Sequence, residues 1–249
     1  NNAGVLEAEV DGVTQSFFTP AGSATVRLTV NGGDGIDTLI LNYGSGTLTD
    51  EIVFIDGGAA DANPERLQII GNGTETLTYN PTLDVDNRRV LTLSNGSTVR
   101  VETSTAGNVF EFDTLSRVNL TSPGTADDVT LTPISTASPI SSQATLRVSE
   151  ASGNFEQVDL IDVANITLDL GASDLPTDGD DQVTIDAGSL RAYTTITTLS
   201  VLTGIGSDTF NLNEVDYRNT AGANVLTLDA GDLADTLNVS TNVDQLTLT

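Results

Sequence analysis

Leu28-Thr29-Val30, Asn31-Gly32-Gly33-Asp34-Gly35-Ile36 and Asp37-Thr38-Leu39-Ile40-Leu41 follow one another directly, and their reading decides the fold of this chain. The first and third pieces alternate apolar with polar residues, the period-two signature of a strand with one buried face. The middle piece is a glycine turn. Near the other end the unit returns as Leu226-Thr227-Leu228, Asp229-Ala230-Gly231-Asp232-Leu233-Ala234 and Asp235-Thr236-Leu237-Asn238-Val239. Between them, Thr203-Gly204-Ile205-Gly206-Ser207 leads into Asp208-Thr209-Phe210-Asn211-Leu212, with Phe in place of Leu. Weaker copies begin at Glu65, Ser97, Asp127, Glu156 and Asp181, so successive units start 25 to 32 residues apart. Stretches such as Leu77-Thr78-Tyr79 and Val109-Phe110-Glu111-Phe112 add a third strand to some units. A unit of this size cannot bury its apolar edge alone, and stacked copies share a continuous core. The expected fold is therefore all-β: a parallel β-helix (β-solenoid) of about eight coils, right-handed by the usual crossover preference. At ~4.8 Å per coil it makes a rod on the order of 40 Å long.

Composition agrees. The 249 residues include no Cys, Met, Trp or His, their nine cations are all Arg, and 35 acidic residues leave a net charge of -26. Thr, Val, Ile, Asn, Asp and Gly dominate, while the residues of helical surfaces are scarce. Nine scattered Arg form no basic patch, which argues against nucleic acid and against anionic membrane surfaces. No stretch approaches the roughly 20 apolar residues of a membrane span. Disulfides and lysine chemistry are excluded by composition. Without a Met, Asn1 is no translation start, and the expectation is a processed or partial chain from a secreted or cell-surface protein. Five N-x-Ser/Thr sequons, at Asn72, Asn95, Asn119, Asn165 and Asn238, are about as many as so Thr-rich a chain yields by accident.

Two regions follow. Residues 1–25 lie outside the repeat, and Asp11-Gly12 between Glu9-Val10 and Val13-Thr14 predicts a hairpin that caps the first coil. Residues 26–249 form the β-helix. Leu246-Thr247-Leu248-Thr249 reads as the opening strand of a further coil, so the expected partners are another copy of the chain, end to end, or flanking repeats.

Gly32-Gly33-Asp34-Gly35-Ile36-Asp37-Thr38-Leu39-Ile40 fits the pattern G-G-x-G-x-D-x-U-x at each defined position, and Thr203 to Asn211 departs only at its first. This stretch resembles the haemolysin-type calcium-binding repeat. The resemblance is to the turn and implies Ca²⁺, a cation that takes six to eight hard oxygen ligands. The candidate metal ligands are Asp34, Asp37, Asp208 and Asp235 at the turns, with Asp180 and Asp181 in the acidic stretch Thr177-Asp178-Gly179-Asp180-Asp181. Against calcium stand simpler roles: the carboxylates of Asp37, Asp208 and Asp235 accept backbone N–H groups of the turn and fix the corner before a strand, and the stretch with Asp180 and Asp181 is a solvated acidic loop.

Over residues 26 to 249 the chain also resembles long repetitive surface proteins of bacteria and archaea, such as adhesins and sheath or filament subunits. That resemblance implies an extracellular structural, self-assembling protein. Extracellular carbohydrate is the alternative partner, with Tyr43, Tyr79, Tyr193 and Tyr217 as the available stacking aromatics. The parallel β-helix is also the architecture of pectin lyases and polygalacturonases. Asp180 and Asp181 could then supply acid–base chemistry, and Arg191 or Arg147 could hold an acidic sugar. The lack of His, Lys and Trp and the repelling acidic surface argue against an enzyme. Thr-x-Thr pairs at 47/49, 76/78, 130/132, 195/197 and 247/249 would suit an ice-binding face if they shared a phase, but ordinary strand propensity of Thr accounts for them.

Overall fold

The computed structural model describes residues 5–10, 13–18, 27–33, 35–44, 51–55, 65–102, 107–122, 124, 126–134, 145–151, 156–173, 179–186, 196–213 and 225–240. Alternating sequence becomes strand throughout, and helix among the described residues is limited to a three-residue 3₁₀ turn, Gly171–Ser173.

Nearly all the strands fall into two nine-stranded sheets. In spatial order the first holds β3 (Arg27–Asn31), β5 (Glu51–Ile55), β9 (Thr98–Glu102), β8 (Arg88–Leu93), β7 (Thr76–Asn80), β11 (Arg117–Thr121), β15 (Asn165–Asp169), β17 (Thr198–Leu202) and β19 (Val225–Asp229). The second holds β4 (Thr38–Asn42), β6 (Arg66–Ile70), β10 (Val109–Asp113), β14 (Gln157–Ile161), β13 (Thr145–Glu150), β12 (Asp128–Ile134), β16 (Gln182–Ile185), β18 (Thr209–Leu212) and β20 (Thr236–Val239). The chain passes repeatedly from one sheet to the other, and most neighbours pair in parallel, as between β16, β18 and β20 or between β15, β17 and β19. This is the connectivity of stacked coils.

Twice the parallel stacking is broken by an antiparallel meander. After β6 the chain enters the first sheet at β7, leaving two places empty, and turns back through β8 and β9 to fill them, β9 pairing in parallel with β5. The second sheet repeats the device with β12, β13 and β14, and β14 pairs in parallel with β10. The first meander corrects the repeat. Ser97 does not open a coil equivalent to those at Asp37 or Asp208, but closes the hairpin turn Asn95-Gly96, where Gly96 takes φ 93° and Leu93 N–H donates to the Ser97 carbonyl. Val99 and Val101 therefore reach the core from the first sheet, opposite the strands with which the sequence groups them.

The core runs between the sheets. Leu39, Leu41, Val99, Val101, Val129, Leu131, Val183, Ile185, Phe210 and Leu212 are all at most 3% exposed, while Thr38, Arg100, Thr130, Thr184 and Asn211 beside them are half-buried. At the last described coil the pattern weakens: Leu237 is only half-buried and Val239 is 45% exposed. Successive turns approach so closely that glycine is obligatory in places. A Cβ on Gly171 would lie 2.5 Å from Gly204 Cα, and one on Gly231 would lie 1.5 Å from the Gly204 carbonyl oxygen.

Ahead of the coils, β1 (Val5–Val10) and β2 (Val13–Phe18) pair antiparallel from Val5↔Phe18 to Val10↔Val13, and β1 runs beside β4. The connecting Asp11-Gly12 lies outside the described residues, as does the stretch Leu246 to Thr249.

Candidate functional site: a buried carboxylate ladder

Every strand of the second sheet except β13 is preceded by an acidic or amide residue. Asp37, Glu65, Asn108 and Glu156 precede β4, β6, β10 and β14, and Asp127, Asp181, Asp208 and Asp235 precede β12, β16, β18 and β20. Parallel stacking brings each group of four into a column, with β13 between the groups. The columns are buried over most of their length. Asp37, Glu65, Asn108, Glu156, Asp127, Asp181 and Asp208 are all at most 7% exposed, and only Asp235, in the last described coil, is open to solvent.

Hydrogen bonds run along the columns. The Asp127, Asp181 and Asp208 backbone N–H groups donate to the carboxylates of Asp181, Asp208 and Asp235 at 2.8, 2.8 and 3.1 Å. In the other column, Asp37 N–H donates to Glu65 Oε2 at 3.0 Å. The next peptide returns the link: Gln182, Thr209 and Thr236 N–H donate to the carbonyls of Asp127, Asp181 and Asp208 at 2.7 to 2.8 Å. From Asp127 to Asp235 each corner is thus tied twice to its neighbour, once through a side chain and once through the backbone. Acceptance of a backbone donor holds a carboxylate in the interior. Charge opposes it: two carboxylates ~5 Å apart repel by about 3 kcal/mol at an effective dielectric of 20. Asp208 concentrates this tension, because its Oδ2 is buried with no hydrogen-bond partner among the described residues.

The glycine turn serves the same corner. A Cβ on Gly32 would meet Asp37 Oδ2 at 2.3 Å, so the carboxylate packs on the bare backbone of its own turn. Gly33 and Gly35 take φ 97° and 119°. Asp34 lies outside the described residues. Asp180 and Asp181, adjacent in sequence, do not share a site: Asp181 is buried in the column, whereas Asp180 is exposed and accepts Ser207 N–H at 2.9 Å. Among the described residues no group of three or more His, Cys, Asp or Glu is arranged to hold a metal ion.

A second polar group lies on the outer face of the second sheet. Glu111 and Asp159 are register partners on β10 and β14, and both are fully buried. Gln68 Nε2 donates to Glu111 Oε1 at 2.5 Å, and Arg147 grips Asp159 with Nε and a terminal guanidinium nitrogen at 2.7 and 2.8 Å. Both carboxylates are shut off from solvent, and the guanidinium of Arg147 is committed to Asp159. The signal was present in Phe110-Glu111-Phe112 and Val158-Asp159-Leu160, where an acid sits between two inward apolar residues.

The tyrosines offer no stacking platform where they are described. Tyr43 and Tyr79 continue the inward phase of Leu39-Leu41 and of Leu77, and both are fully buried. Tyr193, Tyr217 and Arg191 lie outside the described residues. Burial pushes the Tyr43 phenol up to about 12. The Tyr79 phenol is also raised, first by burial and then by Glu156, which its hydroxyl contacts. Arg89 Nε completes that cluster with a 2.7 Å bond to Glu156 Oε1, and the Tyr79 ring packs edge-on against Phe110. On the first sheet Glu51 joins Arg27 and Arg100 at 2.6 and 2.8 Å, and the hydrogen bonds from these two guanidinium groups bring its carboxyl down to about 2. No family model, curated protein or solved structure matches this chain.

Proposed function

We propose that the chain is an extracellular structural element, a segment of right-handed β-solenoid rod that is capped by hairpin β1–β2 at its first coil and joins further coils at the other end. The observation that carries this reading is the state of the last described coil. Leu226, Leu228 and Leu237 are half-buried and Val239 is 45% exposed, whereas one coil earlier Phe210 and Leu212 are 3% and 0% exposed. Strands β19 and β20 have no partner on their outer edges among the described residues. Edge strands template further pairing, and the half-buried leucines beside them suit the core of a further coil. The absence of Cys and Met leaves no thiol or thioether to oxidise, which suits a secreted or surface location. Electron microscopy of the purified chain over rising concentration tests the proposal: rods that lengthen are expected, and isolated particles about 40 Å long at every concentration would count against it.

A polar stripe on the outer face of the first sheet favours a second reading, binding of extracellular carbohydrate. Thr78, Asn119, Thr167, Ser200 and Thr227 stand in register on five neighbouring strands, and Asn119 Nδ2 donates to Thr78 Oγ1 at 3.3 Å. Their shared phase offers hydroxyl and amide groups every ~4.8 Å. Pull-down on insoluble polysaccharides, lost on Thr167→Val with Ser200→Val, would support this reading, and equal retention of both proteins would remove it.

A further inference from the structure

The fold closes four of the five Asn-x-Ser/Thr stretches. Asn119 and Asn165 stand in strands β11 and β15, each paired on both sides, and their amide nitrogens donate to Thr78 Oγ1 at 3.3 Å and to the Ser116 carbonyl at 2.8 Å. Asn238 lies in β20, where its amide nitrogen donates to Asn211 Oδ1 at 2.9 Å. Asn95 is exposed at the β8–β9 turn, but Ser97, which supplies the hydroxyl of that stretch, is 3% exposed. Asn72-Gly73-Thr74 differs from all of these. It lies in the turn from β6 to β7, which takes five residues, 71–75, whereas the same corner takes three, 114–116 and 162–164, in the next two coils. Hydrogen bonds stack these corners: Gly73 N–H donates to the Thr114 carbonyl at 2.8 Å, and Thr114 N–H to the Ile161 carbonyl at 3.0 Å. In the longer turn Asn72, Gly73 and Thr74 are all exposed, and a Cβ on Gly73 would meet nothing within 4 Å. Asn72 Oδ1 accepts the Thr74 N–H at 3.1 Å and the Thr74 hydroxyl at 2.6 Å, while its Nδ2 makes no hydrogen bond among the described residues.

We infer that Asn72 is an N-glycosylation site, the one sequon of the five that the folded chain offers to a glycan transferase. The inference rests on the extracellular reading above and adds a covalent modification to it. The co-substrate it requires is an oligosaccharide carried on a polyprenyl diphosphate. Asn72 Nδ2 attacks the anomeric carbon of that oligosaccharide, and the bond from this carbon to the diphosphate oxygen breaks. The lipid diphosphate leaves with the electron pair, and the amide gives up one proton to a base of the transferase. Thr74 assists through the bond it already makes: a hydroxyl donating to Oδ1 draws electron density towards that oxygen and eases loss of the amide proton. At Asn119, Asn165 and Asn238 the nitrogen that must attack is committed to a neighbouring coil, and at Asn95 the hydroxyl is out of reach. A glycan on Asn72 leaves from a coil corner on the flank of the stack, where its bulk is borne by solvent and adds solubility.

Trypsin cuts after Arg66 and Arg88, and the resulting peptide, residues 67–88, holds Asn72 as its only sequon. Mass spectrometry of the protein recovered from its native cells is expected to find this peptide heavier by one glycan and the peptides with the other four sequons unmodified. Protein recovered from outside the cells with Asn72 bare, or with the glycan on another of the five, overturns the site and leaves the extracellular reading intact. Protein confined to the cytoplasm overturns the two together. A second measurement tests the geometry on the purified, folded chain, with lipid-linked oligosaccharide and an oligosaccharyltransferase that modifies the synthetic peptide of residues 67–80. Transfer to Asn72 is expected, with complete loss in Asn72→Gln and Thr74→Val and retention in Thr74→Ser. A folded chain that accepts no glycan, or a Thr74→Val variant that accepts it as the wild type does, overturns the inference.

Discussion

Asp208 is a residue at which charge and hydrogen bonding pull in opposite directions. Its carboxylate accepts the Asp181 N–H at 2.8 Å, and its own N–H donates to Asp235. Asp208→Ala leaves a buried donor unsatisfied and should cost about 1–3 kcal/mol in urea unfolding. Asp208→Asn keeps an acceptor oxygen while removing a charge from the column, so it should cost less than the alanine or raise stability. If these carboxylates serve as backbone acceptors, both changes are the same in Ca²⁺ and in EDTA. A melting temperature that falls on chelation in the wild type alone would instead show an ion bound only to the folded state. The tyrosines give a pH test. The Tyr43 value lies near 12, above the ordinary phenol, so the stability that its burial implies is complete below pH 10 and lost as pH rises towards 12. Phenolate absorbance from Tyr43 and Tyr79 should therefore appear together with unfolding, and a smooth titration of all four tyrosines in folded protein near pH 10 would contradict their burial. Glu51 runs the other way: its lowered carboxyl contributes stability present above about pH 4.5 that fades as pH falls towards 2, a slope that Glu51→Gln should flatten.

At the scale of turns and strands, stacking sets rules that a single strand does not reveal. Gly171, with its would-be Cβ 2.5 Å from Gly204 Cα, is constrained by the backbone of the next coil, while Gly96 has open space and is constrained only by its φ of 93°. Gly171→Ala should cost roughly 1–3 kcal/mol by overpacking against a backbone that cannot rotate away, and Gly96→Ala about 1–2 kcal/mol from conformation alone. A Gly171→Ala cost near zero in denaturant unfolding would mean that the coils do not approach as described. The strands themselves were legible. Alternation placed Leu39, Leu41, Phe210 and Leu212 in the core, and the same alternation, applied to Tyr43 and Tyr79, would have buried them too. The meanders were not legible, because Thr98-Val99-Arg100-Val101 alternates as a coil strand does and period two is blind to chain direction. The Asn95-Gly96 pair was the available signal for reversal. The ladder was half legible. An acid before a strand stood out at Asp37, Asp208 and Asp235, but its vertical partner depends on register, which only stacking supplies.

The described coils stack on a continuous core, and the first and last of them differ. The first coil keeps Leu39 and Leu41 fully buried, while the last leaves Val239 in solvent. A net charge of -26 works against association at low ionic strength, and salt should promote it by screening, over a Debye length of about 8 Å at 0.15 M. Small-angle X-ray scattering of the intact chain over a concentration series at that ionic strength separates end-to-end growth from every other outcome. The account predicts a molecular mass that rises in multiples of 25.8 kDa while the cross-sectional radius stays fixed. A single 25.8 kDa species at all concentrations, or particles whose cross-section widens as they grow, would contradict it.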